Sequence, residues 1–454
     1  MENVQVQATG SDWTLEQLRA SMGEAGATRM LAKPLAQNDN SKQQIYLGGS
    51  FEILNQIPFG EVIAESSSRR PNFKAALNFH WLTPNANIQQ APGAQLILYP
   101  DYPEVRLSGF LHGCSAAPSK LMQPVAREQR GEKNSWDGRV LFFGMTPDGK
   151  VLASVSPAGS KASLDFDKLR LADTLDRSGA LYILPALDAI RSTADESRKA
   201  LLATLTDIAR LGWTDSIRMY ADGSVRPYKA TNGGGYTLEA LLGIVPNGRS
   251  EPDFLGWEIK AHSSSRVTLM TPEPNGGFYG EKGVQAFLRK YGRKRDDGVI
   301  YFTGTHTVGN VNTTSGHLLQ LNGFDAIKNR INDVAGGIEL IDVDGKISAS
   351  WTFTSLLSHW ARKHAQAAYI PYESRTDPTP FYRFAPQIKL ATGTNFTLFL
   401  GALARGDVVY DPAPKLTGAD TGNPSTKARS QFRTTMPRLS NLYHQFESVK
   451  LSTE

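Results

Sequence analysis

The stretch Asp253-Phe254-Leu255-Gly256-Trp257-Glu258-Ile259-Lys260 constrains this chain more than any other. Apolar Trp257 and Ile259 alternate with charged Glu258 and Lys260. That is the period of a strand with one face in a core, so Glu258 and Lys260 share the other face. A turn at Leu255-Gly256 brings Asp253 back beside Glu258. Two carboxylates and a lysine at one strand end form the Asp…Glu-x-Lys arrangement of metal-dependent nucleases. The carboxylates hold a hard divalent cation through oxygen. The cation acidifies a water and stabilises charge on a phosphodiester, while the lysine orients that water and supports the pentavalent phosphate. A surface hairpin with an ordinary ion pair has the same spelling, so the surrounding sequence has to decide.

Asn232-Gly233-Gly234-Gly235-Tyr236-Thr237-Leu238-Glu239-Ala240-Leu241-Leu242 comes just before this stretch. Thr237 reads as the N-cap of a short helix with Leu238, Leu241 and Leu242 facing inward. Glu239 then lies in the first turn, where the helix dipole favours a carboxylate, as a third acid close to the pair. The glycine run lacks the downstream Gly-Lys-Ser/Thr of a phosphate-binding P-loop, which gives nucleotide hydrolysis no support. His262 follows Lys260 by two and shares its face if the strand continues. There it serves as a phosphate contact or an acid, or is simply a strand-end histidine.

With these motifs the chain resembles the MvaI/BcnI restriction endonucleases, relatives of the mismatch-repair nicking nuclease MutH. The likeness lies in Gly234 to Glu239, Pro252 to Lys260, Thr268-Leu269-Met270-Thr271-Pro272-Glu273-Pro274, Phe384 to Leu390, Arg429 to Arg433 and Leu442-Tyr443. It covers about residues 195–454. The resemblance implies a monomeric, magnesium-dependent nuclease (manganese replacing magnesium) with the restriction-endonuclease core, acting on double-stranded DNA. It also implies that Glu239, Asp253, Glu258 and Lys260 match the family's catalytic residues, with Asp253 and Glu258 as metal ligands. Family members carry mostly this nuclease unit, so the long N-terminal part departs from the pattern.

A chain of 454 residues suggests two or three domains. No apolar run is long enough for a membrane span, and Met1-Glu2-Asn3-Val4-Gln5 lacks a secretory pattern. The lone Cys114 excludes an intrachain disulfide and a cysteine-pair zinc cluster. These features predict a cytoplasmic protein without a membrane partner. A net charge of +5 permits nucleic-acid binding without demanding it.

The composition divides the chain into three. Residues 1–40 read as poorly ordered, with one helix at Thr14–Met22. Residues 41–190 read as a β-rich accessory domain, with short branched or aromatic runs between turn residues and basic loops at Arg69, Arg70, Lys120 and Arg127. It is expected to bind DNA or a protein partner. Residues 191–454 read as the nuclease domain, an α/β (α+β) unit. It starts in a helix with Leu201, Leu205 and Ile208 at helical spacing. Helices are expected at Phe324–Ile331 and Arg438–Phe446, and strands at Phe381–Leu390 and Ser430–Thr435.

Two basic clusters flank the acidic motif in sequence. Lys282, Arg289, Lys290, Arg293, Lys294 and Arg295 surround an expected helix at Val284–Tyr291, and Lys427, Arg429, Arg433 and Arg438 lie near the C-terminus. Beside a phosphodiester-cleaving motif they read as phosphate contacts, Lys290 and Arg293 foremost. Arg429, Gln431 and Arg433 alternate on one face of the expected strand, where such side chains can read guanine and adenine edges. The sequence therefore reads as a magnesium-dependent DNA endonuclease of restriction or antiphage defence. The alternatives are a repair-type nicking enzyme and a DNA-binding protein on a decayed nuclease core.

Overall fold

The computed structural model describes residues 13–67, 69–83, 87–134, 136–185, 194–230, 232–245, 253–363 and 366–452. Pro252 of the family-like motif lies outside them. The chain divides into two compact units, Met1–Glu196 and Ser197–Glu454.

The first unit holds two sheets. One has seven strands in the order Arg177–Ser178, Leu181–Ile183, Arg29–Pro34, Val140–Met145, Lys150–Ser156, Asn78–Leu82 and Ile88–Gln90. The other has five, in the order Gln44–Gly48, Glu104–Ser108, Gln95–Tyr99, Asn72–Ala76 and Val62–Glu65. The helix Leu15–Glu24 packs on the larger sheet, with Leu18 and Met22 meeting Phe142, Leu152 and Phe166 in one core. Thr14 caps that helix with a reciprocal capping box to Gln17, which satisfies two of the donors a helix start leaves open.

This order reaches into the segment that the sequence predicts to be poorly ordered. Arg29–Pro34 is an interior strand, flanked by Leu181–Ile183 and Val140–Met145. Met30, Leu31 and Ala32 are fully buried. A run this short between polar neighbours has too little pattern to show that both of its edges are paired.

In the second unit the helix Ala194–Arg210 buries Leu201, Leu205 and Ile208 against the central sheet. That sheet runs Thr214–Asp215, Pro380–Phe384, Gln366–Thr376, Gln387–Thr392, Gln445–Lys450. The Glu258–His262 strand joins it parallel to Gln366–Thr376, placing Glu258 beside Ala367 and Lys260 beside Tyr369. Further small sheets carry Arg266–Met270 against Phe432–Thr435, and Arg293–Lys294 with Ile300–Tyr301, Lys415–Thr417 and Ser425–Lys427.

Several elements depart from expectation. Phe324–Ile331 is a hairpin of two short strands, Phe324–Asp325 and Arg330–Ile331. The Asp325 side chain accepts from the Ile327 and Lys328 backbone N–H groups, and Asn329 takes a positive φ of 49°. Both are turn chemistry that outcompetes a helix. The expected helix at Arg438–Phe446 shrinks to Met436–Leu439 and a 3-10 turn. The chain then pairs as Gln445–Lys450 with Gln387–Thr392. The strand expected over Phe381–Leu390 breaks between Phe384 and Gln387.

Candidate active site

The Leu255-Gly256 turn closes as the sequence predicts. Phe254 and Trp257 exchange backbone hydrogen bonds of 2.9 and 2.8 Å. Leu255 and Gly256 both have positive φ, 48° and 89°, the signature of a type I′ hairpin turn. The turn returns Asp253 to the strand, where its carboxylate accepts the Ile259 backbone N–H at 3.0 Å. Trp257 and Ile259 enter the core with Leu238, Leu242 and Ala368. Glu258 and Lys260 therefore face the other way, and Lys260 Nζ donates to Glu258 Oε1 at 2.5 Å.

Glu258 is only 2% exposed and Lys260 23%, so this is no surface ion pair. Beneath them Tyr369 and Tyr443 join hydroxyl to hydroxyl at 2.8 Å. Burial raises both phenols, and the negative charge of Glu258 adds to it. Burial alone would lower the Lys260 ammonium. The charges of Glu258, Asp253 and Glu239 instead hold it above the usual lysine range. Lys260 is therefore a protonated donor at neutral pH and not a base.

Glu239 reaches this cluster from a different helix register than the sequence predicts. The helix is Gly233–Leu241, with Asn232 at its N-cap position. Thr237 is interior and fully buried. Its hydroxyl accepts from the Ile217 N–H at 3.1 Å and donates to the Ile217 carbonyl at 3.3 Å. Neighbouring tyrosines leave no room for side chains at Gly233 and Gly234. A Cβ on Gly234 would lie 2.4 Å from the Tyr372 ring, and one on Gly233 2.5 Å from the Tyr382 hydroxyl. Glu239 thus sits past the helix middle and lacks the favourable end of the dipole. Burial, and then the charge of Asp253, push its carboxyl up to about 7. Glu258 adds to the push, while Lys260 and Arg218 oppose it.

Three carboxylates and one lysine thus share one field. Among the described residues no set of three or more His, Cys, Asp and Glu is arranged as a metal cage. The donor set still fits magnesium, which typically takes one or two carboxylates and fills its remaining positions with water and substrate phosphate. Asp253 and Glu258 are the two that the strand end presents. Burial and then the charge of Asp253 raise Glu239, and a cation would relieve the charge part of that rise.

His262 lies on the face of Lys260 at the far end of the strand. Its Nδ1 meets the Ser264 carbonyl at 3.0 Å, Nε2 is buried without a partner among the described residues, and burial lowers its pKa. Lys290 and Arg293 are exposed on other elements. Lys290 lies over the Phe278 and Tyr291 rings, and Arg293 is in the Arg293–Lys294 strand. Of the expected alternating triplet only Arg433 is inside a strand, because pairing begins at Phe432. Arg429 and Gln431 precede it in a segment whose carbonyls accept from Ala413 and Asp411. Arg433 is held by Asp411 at 2.8 Å, which also binds Arg266 at 3.1 Å.

One arginine near the carboxylates escaped the sequence reading. Arg218 lies on the short Ile217–Met219 strand, with its guanidinium over the rings of Tyr236, Tyr220 and Tyr228 at 4.3, 5.3 and 5.7 Å. The signal available was the alternation Arg218-x-Tyr220 and Arg226-x-Tyr228 around an Asp222-Gly223 turn.

The model of the MvaI/BcnI restriction endonuclease family matches residues 202–443. Among solved structures, a complex of restriction endonuclease MvaI with its cognate DNA substrate is 20% identical, with a TM-score of 0.43, covering 57% of this chain and 99% of that one. MvaI in the absence of DNA is 18% identical with a TM-score of 0.31, over the same shares. No curated protein matches the chain.

Proposed function

The chain belongs to the MvaI/BcnI restriction endonuclease family, a membership that makes it a DNA endonuclease with a restriction-endonuclease-like core, and from it we infer a magnesium-dependent phosphodiester hydrolase acting in restriction or antiphage defence. The observation that carries the chemistry is the convergence of Asp253, Glu258 and Lys260 at one strand end, with Glu239 within their field.

Asp253 and Glu258 would hold the cation, with manganese able to replace magnesium. When bound, it supplies Lewis acidity toward the phosphodiester and lowers the pKa of water. The Ile259 N–H fixes the Asp253 carboxylate in place. Lys260, kept protonated by its acidic neighbours, donates hydrogen bonds to the attacking water and to the developing charge on phosphorus. Glu239 can take up a proton near neutral pH, which suits it to accept one from the attacking water. Attack opposite the 3′ oxygen breaks the P–O3′ bond and leaves a 5′-phosphate and a 3′-hydroxyl, the departing oxygen taking its proton from solvent water. The buried tyrosines below exclude water from that side of the strand.

The test is a supercoiled plasmid incubated with full-length protein in magnesium, manganese or EDTA. Conversion to nicked or linear DNA in either metal, and none in EDTA, supports the reading. Equal cutting in EDTA, or none in any condition, overturns it. Run-off sequencing of the products then gives the site and tells whether one strand or both are cut.

A further inference from the structure

The Arg218 guanidinium has three aromatic rings against it and no acid within ion-pair distance, although its charge is felt at Glu239. Its Nε is shut off from solvent with no hydrogen-bond acceptor, and among the described residues it makes no ion pair. Stacked rings attract the face of a guanidinium but cannot accept the N–H bonds along its edge. A buried donor left this way costs stability unless another group completes it.

The hairpin sharpens the point. Arg218 pairs directly with Arg226 across the Ile217–Met219 and Val225–Pro227 strands, and like charges so placed oppose strand pairing. Arg226 is neutralised by Asp222 at 2.7 Å and lies over Tyr220 at 4.9 Å. Arg218 has no such partner. Tyr228 is itself fixed, donating to Asn232 at 3.0 Å and meeting Tyr236 edge to face at 5.1 Å. The rings surround the Arg218 guanidinium, and its N–H groups have no hydrogen-bond acceptor among the described residues.

The position is set by the active-site helix. Thr237 clamps Ile217, the residue before Arg218, and Tyr236 of the same helix carries the guanidinium. Arg218 is thereby tied to the helix that bears Glu239. A planar fork of donors, held among aromatic rings and near the carboxylates of the nuclease reading, matches the oxygens of a phosphate.

We propose that Arg218 binds a backbone phosphate of the DNA strand beside the scissile bond, with Tyr220, Tyr228 and Tyr236 as the cage that aims it. This rests on the DNA-endonuclease reading above. A phosphate contact releases counterions, a signature that a purely structural arginine lacks.

The experiment titrates full-length protein onto a fluorescent mixed-sequence duplex across a salt series, with calcium replacing magnesium to hold back cleavage. Arg218→Gln should lose roughly tenfold in affinity, and its slope of log affinity against log salt should shrink by about 0.9. Arg218→Lys should keep the slope and lose only part of the affinity, because charge remains but the fork does not. Arg226→Gln should change the slope little, since Asp222 already meets that charge. Should Arg218→Gln fail to fold, Arg218→Met fills the cage with an apolar stem and is judged by the same slope. A wild-type slope in the folded neutral variant overturns the proposal while plasmid cutting by the wild type keeps the nuclease reading. A wild type that neither binds nor cuts duplex DNA overturns both.

Discussion

Asp253 accepts the backbone N–H of Ile259 across a turn in which Leu255 and Gly256 both adopt positive φ. The first acid of the site is therefore placed by backbone geometry, six residues from its hydrogen-bond donor. Gly256 has open space around it, so a side chain there meets strain and not a clash. Gly256→Val should cost roughly 1–2 kcal/mol and slow plasmid cleavage by shifting Asp253. Leu255→Asn should do the reverse, raising the melting temperature with activity kept, because Asn-Gly suits this turn. Thermal melts beside cleavage rates check both. A destabilised Leu255→Asn would show that the 45%-exposed Leu255 side chain packs on something that matters more than its φ.

Asp253→Ala, Glu258→Ala and Lys260→Ala should each reduce magnesium-dependent cleavage by about a hundredfold or more. Their effects on stability should differ, and burial is the reason. Glu258 faces away from the core side chains Trp257 and Ile259, yet it is only 2% exposed. Lys260→Ala takes the ammonium away from a buried carboxylate and should cost on the order of 1–3 kcal/mol, below the value for a fully buried pair because Lys260 is part-exposed. Asp253→Ala strands one backbone N–H and should cost about 1 kcal/mol. Urea unfolding of each variant gives the ranking. Near-normal cleavage by purified Lys260→Ala would refute the assignment of the lysine.

Glu239 makes the site pH-sensitive in a definite direction. Its folded pKa, about 7, exceeds the ordinary glutamate value of 4.5, so the folded state binds a proton that the unfolded state has released. Its stabilising share is complete below the unfolded value and is lost as pH rises through about 7. Glu239→Gln should therefore be more stable than wild type at pH 8, by on the order of 2 kcal/mol after solvent screening. Near pH 4 the two should converge. A divalent cation competes with that proton. Calcium affinity should thus fall below pH 7 in wild type and stay flatter in Glu239→Gln. Parallel calcium titrations at pH 6 and 8 check this, and identical pH profiles in the two proteins would count against any role for Glu239 near the cation.

Legibility followed sequence distance. Asp253, Glu258 and Lys260 could be read because a tight turn and a two-residue period set their geometry locally. Glu239 could be named but not placed. The glycines before it look like a loop, and the Tyr382 and Tyr372 side chains that exclude side chains at Gly233 and Gly234 lie more than a hundred residues away. Arg218 was missed because its partners are rings, which carry no charge pattern. The interior strand Arg29–Pro34 was missed because its pairing partners begin at Val140 and Leu181. The α/β core with a β-rich N-terminal region was legible from element types, whereas strand order rests on long-range pairing that no local pattern encodes.

Asp411 binds both Arg266 and Arg433 while itself only 16% exposed. It holds in check two cations on paired strands, one of which, carrying Arg433, the sequence assigns to a DNA groove. Asp411→Asn should raise affinity for mixed-sequence duplex at low salt and steepen its salt dependence, since two charges become available for phosphate. Arg429→Ala, at an exposed position without such a partner, should weaken binding and relax preference at one base pair if it reads a base. Binding isotherms over a salt series, with run-off sequencing of cut sites, separate the two. Unchanged affinity and cut pattern in Arg429→Ala and Arg433→Ala together would remove this strand from the DNA interface.

The two units have separate cores, one around Met22, Phe142 and Phe166 and the other around Leu205, Trp257 and Ile370. Every residue of the carboxylate–lysine site lies in the second. A fragment starting near residue 190 keeps the Ala194–Arg210 helix, whose Leu201 and Leu205 belong to the second core. It should fold and keep metal-dependent cutting. All four side chains of the site lie in the second unit, so the role of the first should appear in affinity, selectivity or restraint. Comparing full-length protein and fragment on one plasmid across a salt series tells these apart. Phosphate contacts from the first unit give the full-length protein the steeper slope, by about 0.9 per phosphate. Equal slopes with a changed cut pattern point to selection without added phosphate contacts. Equal slopes, rates and cut patterns remove DNA targeting and leave a protein partner as the first unit's role. An insoluble fragment would show that the two cores depend on each other in spite of their separate membership.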